Sequence, residues 1–325
     1  MSISHLKYHF QQLEMMKCFT FYDNREVTVD INALRIFKAV AEEESVSKAA
    51  CKLDYVQSNV TARVKQLEDE LDSPLFYRKT RGMALTPAGQ TLFDYAKRIL
   101  QLVEEAEKAI QDNDEVKGKL AIGSMESTAA VRLPSILACY HQAYPKVDLM
   151  LKTGTSEELQ FAVLEYKVEG AFVAGSVEHA EIVQTPVFEE ELVFVTEPNI
   201  ESLKALNGVT LLVFRQGCTY RTQLEHLLRA NGMLPYKIME FGSLEAILGC
   251  VAAGMGITLF PRSVVTGLNY ANLLRLHETP KPFGHVPTMF IRRKDAIETK
   301  AMAAFLETVL ERGRQNRPHS NEDKI

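Results

Sequence analysis

Apolar positions in the first third of the chain recur at helical spacing and predict three short amphipathic helices. The first begins at Asp30 and ends near Glu44, Ser47 is the expected N-cap of the second, and the third runs from about Gln57 to Leu71. Their inward stripes are Leu34, Phe37, Val40 and Ala41, then Ala49, Ala50 and Leu53, then Val60, Val64, Leu67 and Leu71. Stripes of this kind predict a small helical domain.

The opposite face of the third helix is small and polar. Its first turns offer hydrogen-bonding side chains, and Ala62 permits a close approach, as a helix entering the DNA major groove requires. The alternative is a solvated face in an unrelated helical domain, and the helix alone does not separate the two interpretations. The candidate DNA contacts in this region are Ser47, Gln57, Ser58, Asn59, Thr61, Ala62, Arg63 and Lys65.

A basic loop directly after this helix favours DNA binding. Gly82 allows a hairpin turn, and Arg81 lies near the tip, where it is placed to reach the minor groove. Arg78 and Lys79 suit phosphate contacts, which position a protein on DNA without reading its sequence. Residues 30–87 are therefore predicted to form a winged helix-turn-helix.

A helix with a heptad seam is predicted next. Thr86 is a good N-cap and Pro87 suits the first helical position. Apolar residues then alternate at steps of four and three: Ala88, Leu92, Tyr95, Ile99, Leu102, Ala106 and Ala109. The positions between them are mostly polar, whereas a helix lying on its own domain's core needs a broader apolar stripe. Residues 88–117 are predicted to be a dimerisation helix with a polar hinge at 112–117.

From residue 118 strands and helices alternate, which predicts an α/β domain with a largely parallel sheet. The predicted strands are KLAIG, VDLML, GAFVAG, ELVFVTE, VTLLVF, KIMEF and GITLF. Several strand ends run straight into helix starts, and Thr155 with Glu158 predicts a capping box. Because helix N-termini at such strand ends present N–H groups to ligands, a crevice there suits a small anion such as a carboxylate.

The charge of the chain changes this picture in one respect. The 325 residues carry a net charge of −5, with 46% apolar and 24% charged residues, as in an ordinary globular protein. Residues 30–87 are neutral, with nine basic and nine acidic side chains. Attraction to DNA must therefore come from where the basic residues are placed.

Other classes of protein find little support in the sequence. There is no apolar run long enough for a membrane span and no apolar signal core, and five scattered cysteines suggest a reducing, cytoplasmic setting. No metal-site spacing, nucleophile elbow, phosphate loop or dinucleotide fingerprint occurs, so we expect neither a cofactor nor an enzyme. An enzyme or solute-binding protein with a helical extension is the rival hypothesis.

The two ends of the chain stand apart from these patterns. Residues 1–29 join no pattern, which suggests a start site assigned too early, an expression artefact, or an arm on the DNA-binding domain or its dimer partner. Residues 311–325 are polar and predict a flexible, solvated tail.

The segment SVSKAACKLDYVQSNVTARVKQLEDELDSPLFYRKTRGMALTPAG resembles the N-terminal signature of the LysR-type transcriptional regulators. The likeness includes the alanines of the second helix, Gln57, the pairs Leu67–Glu68 and Leu75–Phe76, and the ending LTPAG. The chain departs from the usual form at Val56 and Ser58, where serine and proline are common. The base preference at those contacts is therefore not transferable, although the fold is.

The resemblance implies two Rossmann-like α/β subdomains of the periplasmic-binding-protein type, with a small-molecule effector between them. Their expected extents are 118–190 with 268–310, and 191–267. The implied lining residues are Ser124, Ser127, Thr128, Thr153, Thr155, Phe214, Cys218, Tyr220 and Ser243. Glu126 at the same place disfavours anions and could pair with an amine, so the effector is a carboxylate, an amine or an amino-acid-like compound.

The same resemblance implies the partners. Promoter DNA is the first, the chain pairs as a dimer through the linker helix and then as a homotetramer, and RNA polymerase is a further candidate. Cys218 lies at an expected helix N-terminus near Arg215 and Arg221, which predicts a lowered thiol pKa. A redox switch is thereby an alternative to an ordinary lining thiol.

Overall fold

The computed structural model describes residues 29–79, 82–110, 115–203, 208–230, 232, 237–268, 270, 272–280 and 283–315. Some of the predictions above concern residues outside this part of the chain: residues 1–28, Arg81 at the wing tip, hinge residues 112–114 and residues 316–325. The side chain of Ala109 is also outside it. The chain forms two compact units, Met1–Leu102 and Val103–Ile325. Each unit has its own fold.

The first unit is a three-helix domain with a two-stranded wing. Its helices and strands are α1 (Ile31–Glu43), α2 (Val46–Lys52), α3 (Gln57–Glu70), β1 (Phe76–Lys79), β2 (Gly82–Leu85) and the long α4 (Pro87–Ile110). The inward stripes of α1, α2 and α3 meet in one core, where Phe37, Val40 and Val60 are fully buried. Helical spacing thus predicted this core correctly.

The cap of α2 differs from the prediction. Ser45 is the N-cap, because its Oγ accepts a hydrogen bond from the Lys48 amide at 3.4 Å, whereas Ser47 is an exposed residue inside the helix. Glu44 takes a left-handed conformation with φ of 49° and ends α1, so the chain is extended again one residue later. The predicted cap was therefore two residues too late.

The wing is held to the helices by backbone contacts. Strands β1 and β2 pair antiparallel, from Phe76 opposite Leu85 to Lys79 opposite Gly82. Gly82 has φ of 97°, and a Cβ there would lie 2.6 Å from the Glu44 carbonyl oxygen. The Met83 amide donates to that same oxygen at 2.8 Å. A glycine is thus required both for the turn and for the approach of the wing to α1.

Helix α4 has two apolar faces. Ala96 and Leu100 are buried in the core of the first unit, a face that the heptad pattern did not predict. Of the predicted seam, Leu92 packs against this core, whereas Tyr95, Ile99 and Leu102 lie on the other side and are 57%, 39% and 56% exposed. Large apolar side chains with this much exposure are consistent with a partner helix.

The second unit alternates strands and helices as predicted. Its elements are β3 (Gly118–Ser124), α5 (Glu126–Val131), α6 (Leu133–Ala143), β4 (Val147–Thr153), α7 (Ser156–Leu164), β5 (Gly170–Ala174), β6 (Ile182–Thr196), β7 (Thr210–Phe214), α8 (Thr219–Ala230), β8 (Lys237–Phe241), α9 (Leu244–Ala252), β9 (Thr258–Pro261), α10 (Arg262–Gly267), β10 (Arg275–Glu278), β11 (His285–Arg293) and α11 (Lys300–Gln315). Strands β10 and β11 and the first half of β6 were not predicted.

The main sheet is mixed, which corrects the expectation of a largely parallel one. Its order is β10-β6-β11-β5-β3-β4, with β9 also paired to β6, and only the pairs of β3 with β4 and β5 are parallel in it. Strand β11 runs antiparallel to both β5 and β6. The unpredicted β11 lies between β5 and the unpredicted first part of β6, and its antiparallel pairing with both makes the sheet mixed.

Strand β6 connects two lobes of the second unit. Its first part pairs with β11, and its last part, from Leu192 to Thr196, pairs with β9 and β10. We call β3, β4, β5 and β11 with α5, α6, α7 and α11 the first lobe, and β7 to β10 with α8, α9 and α10 the second lobe. Strands β7 and β8 form a separate parallel pair.

Helix α11 corrects the predicted start of the C-terminal tail. The helix continues to Gln315, four residues beyond the predicted start of the tail at 311. Gly313 is buried there, in a place where a Cβ would lie 2.9 Å from the Val187 carbonyl oxygen. This packing against β6 keeps the segment helical despite its polar composition.

A buried arginine in β11 leads to a prediction about acid stability. Arg293 donates to both carboxylate oxygens of Asp295, at 2.7 and 2.9 Å, and lowers the pKa of Asp295 from 3.8 to about 2. Because the folded pKa is the lower one, this pair stabilises the fold above pH 3.8 and the contribution disappears as the pH falls towards 2.

The Asp295→Asn variant should therefore have a lower Tm than the parent at neutral pH, and the difference should shrink between pH 4 and 2. Thermal unfolding followed by circular dichroism measures this, with Asp148→Asn on the exposed face of β4 as the control. A Tm difference independent of pH would show that the ion pair is not its source.

Candidate DNA-binding face and ligand cavity

The outer face of α3 is a continuous polar surface. Its side chains are exposed at Gln57, Ser58, Asn59, Thr61, Ala62 and Lys65. Val56, the N-cap, makes no side-chain cap bond, because valine has no acceptor. The face therefore combines small polar groups with a helix N-terminus whose first amides lack a side-chain cap, an arrangement suited to base edges and phosphate oxygens.

Arg63 lies beside this face but is engaged within the domain. It forms an ion pair with Asp30, the N-cap of α1, and its Nη1 donates to Gln66 Oε1 at 2.6 Å. Asp30 Oδ1 in turn accepts from the amides of Asn32 and Ala33 at 2.6 and 3.1 Å. The DNA contact of Arg63 stays a prediction, and its charge also ties α3 to the start of α1.

Two of the three basic wing residues predicted to contact DNA, Arg78 and Lys79, lie in the part of the chain that the structure describes. Arg78 and Lys79 are exposed in β1, whereas Phe76 at the start of the strand is buried. Glu68 in α3 fixes this strand, since one carboxylate oxygen accepts from the amides of Leu75 and Phe76 at 2.7 and 3.1 Å. The wing is thus held by α3 itself, with its two cations facing solvent.

The second unit contains a cavity of about 240 Å³. It is formed where the end of β4 and the starts of α5 and α7 in the first lobe meet the ends of β7 and β8 and the start of α8 in the second. Its lining residues are Met125, Glu126, Ser127, Thr153, Gly154, Thr155, Ser156, Phe214, Arg215, Cys218, Tyr220, Phe241 and Gly242. A cavity below the usual range of about 300–1,000 Å³ suits a ligand of few heavy atoms.

Most of the predicted lining residues meet in this cavity, and three do not line it. Ser124 is buried and its Oγ donates to the Met125 carbonyl oxygen at 2.9 Å. Thr128 is buried within α5, and Ser243 is occupied as the cap of α9, where it accepts from the Ala246 amide. The residues missed in the sequence were Met125, Gly154, Ser156, Arg215, Phe241 and Gly242. All of them flank predicted positions at the same strand ends.

The N-termini of α7 and α9 at the cavity are capped by the chain itself, contrary to the expectation of available amides, whereas Met125 at the start of α5 makes no side-chain cap bond. Thr155 and Glu158 form the predicted capping box on α7. At the start of α8 the backbone amides of Tyr220 and Arg221 act on the Cys218 thiol and lower its pKa. The first amide of α9, that of Leu244, donates to Glu126 Oε1 at 2.9 Å.

The predicted reactivity of Cys218 is corrected by its burial. The loss of solvent around the thiol raises its pKa, and this exceeds the lowering effects of the two amides and the Arg221 charge. Burial likewise raises the pKa of Tyr220, whose hydroxyl is hydrogen-bonded to Ser127. Both groups are therefore neutral hydrogen-bonding groups of the cavity wall.

A buried ion pair lies beside β6 where the lobes join. Arg132, between α5 and α6, donates from Nε and Nη2 to the two carboxylate oxygens of Glu190 at 2.7 and 3.0 Å. Ser263 of α10 donates to the same carboxylate at 2.7 Å. The Glu190 side chain is only 4% exposed. The Glu190 carboxylate therefore binds Arg132 from the first lobe and Ser263 from the second.

Within the described residues, no group of three or more acidic, histidine or cysteine side chains has the geometry of a metal site. In that same part of the chain, every helix is too short or too polar to cross a membrane.

Comparison with known proteins places both units in one family. Residues 31–90 match the family of bacterial regulatory helix-turn-helix proteins of the lysR type, and residues 113–314 match the LysR substrate binding domain. These matches together cover the three-helix domain, the wing and the unit that contains the cavity.

Relatives over nearly the full chain are named as regulators. The HTH-type transcriptional regulator GltR of Bacillus subtilis is 47% identical over 293 residues, which are 89% of this chain and 99% of that protein. SoxR of Arthrobacter sp. is 46% identical and CzcR of Bacillus cereus is 46% identical, over 86% and 87% of this chain and 96% and 98% of theirs.

Solved structures of full-length regulators have the same fold. OxyR from Pseudomonas aeruginosa gives a TM-score of 0.66 at 20% identity and covers 87% of this chain and 98% of its own. CbnR in complex with its target DNA gives 0.61 at 22% identity, with 87% and 100% coverage. The chain therefore belongs to the LysR family of DNA-binding transcriptional regulators, whose members join a helix-turn-helix domain to a substrate-binding domain.

Proposed function

We propose that this regulator contacts promoter DNA through the exposed face of α3 and the basic wing, and that a small-molecule effector in the cavity between the lobes controls it. The observation that carries the DNA contact is the exposed, mostly polar face of α3 from Gln57 to Lys65, together with the exposed Arg78 and Lys79 of the wing. Ser47 is exposed at the start of α2 and joins the proposed contacts. Arg81 lies outside the described residues and is proposed for the minor groove from its place in the sequence alone.

A dimer through α4 would present two such faces to two half-sites. The exposed Tyr95, Ile99 and Leu102 support this pairing, because a monomer would leave a row of large apolar side chains in water. We extend the proposal to a homotetramer, with RNA polymerase as a further partner when the protein is bound at a promoter.

The cavity supports control by an effector. Its walls come from both lobes, and Glu190 in β6 connects both lobes close to Tyr220. A ligand that binds the cavity more tightly in one arrangement of the lobes would shift the population towards that arrangement. The position of the cavity, rather than any single side chain, is the basis of this proposal.

Ala62→Glu provides the test of the DNA contact. A carboxylate at the centre of the proposed face should weaken binding at least about tenfold, because it meets the DNA where close approach is needed and repels the phosphates. Footprinting and mobility shift on the DNA upstream of its own gene, at one fixed salt concentration, measure this.

The matched control is Ala303→Glu, the same change at an exposed alanine in α11. Equal affinity of the two variants for the protected DNA would mean that α3 does not face it. An absence of any protected site for the parent protein, upstream of its own or neighbouring genes, would remove the proposed promoter contact altogether.

A further inference from the structure

The cavity carries one charged side chain without a counter-ion. Glu126 and Arg215 are the charged residues of its wall. Arg215 is already paired, since its Nη2 donates to Glu158 Oε2 at 2.8 Å. Glu126 forms no ion pair with any residue that the structure describes. The uncompensated charge of the cavity is therefore negative.

The hydrogen bond of Glu126 explains why this carboxylate stays at the wall. Its Oε1 accepts from the Leu244 amide, the first amide of α9, across the boundary between the lobes. Leu244 is fully buried, so its amide would lack an acceptor from solvent if the carboxylate left. The carboxylate therefore occupies the place at α9 that an anionic ligand would otherwise take.

The starts of α7 and α9 offer no free first amide to a second anion, and the start of α5 carries Glu126 itself. The amides at the start of α7 are taken by Thr155 with Glu158, as described above. Cys218 and Tyr220 remain neutral and contribute no further negative charge. Glu126 lines the cavity, and within the described residues its Oε2 has no hydrogen-bond donor, unlike Oε1.

We infer that Glu126 is a specificity-determining residue that selects effectors bearing a protonated amine and discriminates against plain carboxylates. This inference rests on the proposed effector cavity and names the class of its ligand. An ammonium group can bind the second oxygen of Glu126 while the bond to Leu244 persists. A carboxylate must either lie beside Glu126, with like charges close together, or displace it from the buried amide.

The test compares ligands that share one side chain and differ in whether they carry an amine, a carboxylate or both. L-leucine carries both groups, isoamylamine only the amine, and isocaproate only the carboxylate; L-glutamate and glutarate form a second matched set. Calorimetric titration of the full chain should show that L-leucine binds at least about tenfold more tightly than isocaproate, and L-glutamate at least about tenfold more tightly than glutarate. Glu126→Gln should remove that preference, because the amide oxygen still accepts from Leu244 while the negative charge is lost.

Two further variants keep the outcomes distinct. Glu178→Gln removes the same charge from an exposed loop and should leave the preference unchanged. Gly242→Leu should block binding of every probe, because a Cβ at Gly242 meets nothing within 4 Å and a larger side chain can fill the cavity.

The results separate this inference from the proposal beneath it. If the probes bind and Gly242→Leu blocks them, but isocaproate or glutarate binds as tightly as its amine-bearing partner, or Glu126→Gln keeps the preference, the role of Glu126 is refuted and the cavity remains the effector site. If no probe binds the parent, or Gly242→Leu has no effect on binding, the proposed effector cavity itself fails for ligands of this class.

Discussion

Replacement of Glu190 by Gln is expected to destabilise the second unit by about 3–5 kcal/mol, the largest effect that we predict for a single substitution here. The carboxylate accepts two hydrogen bonds from Arg132 and one from Ser263, and it is almost fully buried. Glutamine has one acceptor oxygen and no charge. The Arg132 guanidinium, itself 18% exposed, would be left without its counter-ion.

Urea unfolding followed by circular dichroism measures this loss, since the chain contains no tryptophan for fluorescence. The double variant Arg132→Met with Glu190→Gln serves as the control, because it removes both charges and should recover part of the stability. If the free energy of unfolding of Glu190→Gln lies within about 1 kcal/mol of that of the parent, the buried ion pair contributes little to the stability of the fold.

The same variant bears on the effector proposal. Glu190 contacts Arg132 from the first lobe and Ser263 from the second, in the strand that runs through both. If the Arg132→Met, Glu190→Gln protein folds, any change in the response of DNA binding to an amine-bearing probe would reflect the connection between lobes rather than a loss of fold.

Gly89→Ala is the second substitution with a large expected effect, and it acts on the DNA-binding unit. A Cβ at Gly89 would lie 2.0 Å from the Leu75 carbonyl oxygen and 3.1 Å from Leu85 Cδ2. That carbonyl accepts from the Thr86 amide at 3.0 Å, and the Thr86 hydroxyl donates to the Pro74 carbonyl oxygen at 2.7 Å. The methyl group must therefore displace backbone at the point where the wing meets α4.

Such overpacking against backbone should cost about 3 kcal/mol, in spite of the higher helix propensity of alanine. Hydrogen exchange of peptides from residues 31–100 should show faster exchange in the variant, and affinity for the footprinted DNA should fall because the wing loses its support. Gly249→Ala is the matched control: it lies within α9, its Cβ would meet nothing within 4 Å, and it should stabilise by about 0.5–1 kcal/mol. Equal behaviour of the two glycines would falsify the close-approach explanation.

Local features of the fold followed from the sequence because neighbouring residues produce them. The apolar stripes of α1, α2 and α3 became one core, the capping box of Thr155 and Glu158 formed, and the glycine at 82 made the wing turn. The N-cap of α2 was misplaced because Ser45 and Ser47 both have a side chain that can cap a helix. The left-handed conformation of Glu44 decides between them, since it ends α1 and makes Ser45 the N-cap of α2.

The missed strands show where pattern reasoning stops. Strand β11 is among the longer strands of the sheet and carries buried Phe290 and Ile291, yet the sequence gives no indication of which strands it will join. Its pairing with β5 and β6 is set by the chain returning from the second lobe. The mixed direction of the sheet follows from that return, which no local pattern contains.

The sequence by itself determined that this chain joins a winged helix-turn-helix to an α/β ligand-binding unit, because turn residues, helix caps and the period of apolar positions act over a few residues. It also placed most of the cavity wall, since lining residues follow the ends of predicted strands. Only the tertiary structure decided the charge and reactivity of that wall. Glu126 accepts a hydrogen bond from the amide of Leu244, which is distant in sequence, and burial raises the pKa of the Cys218 thiol. Desolvation and long-range hydrogen bonds depend on segments that come together only when the whole unit folds, and they reverse what each residue type suggests alone.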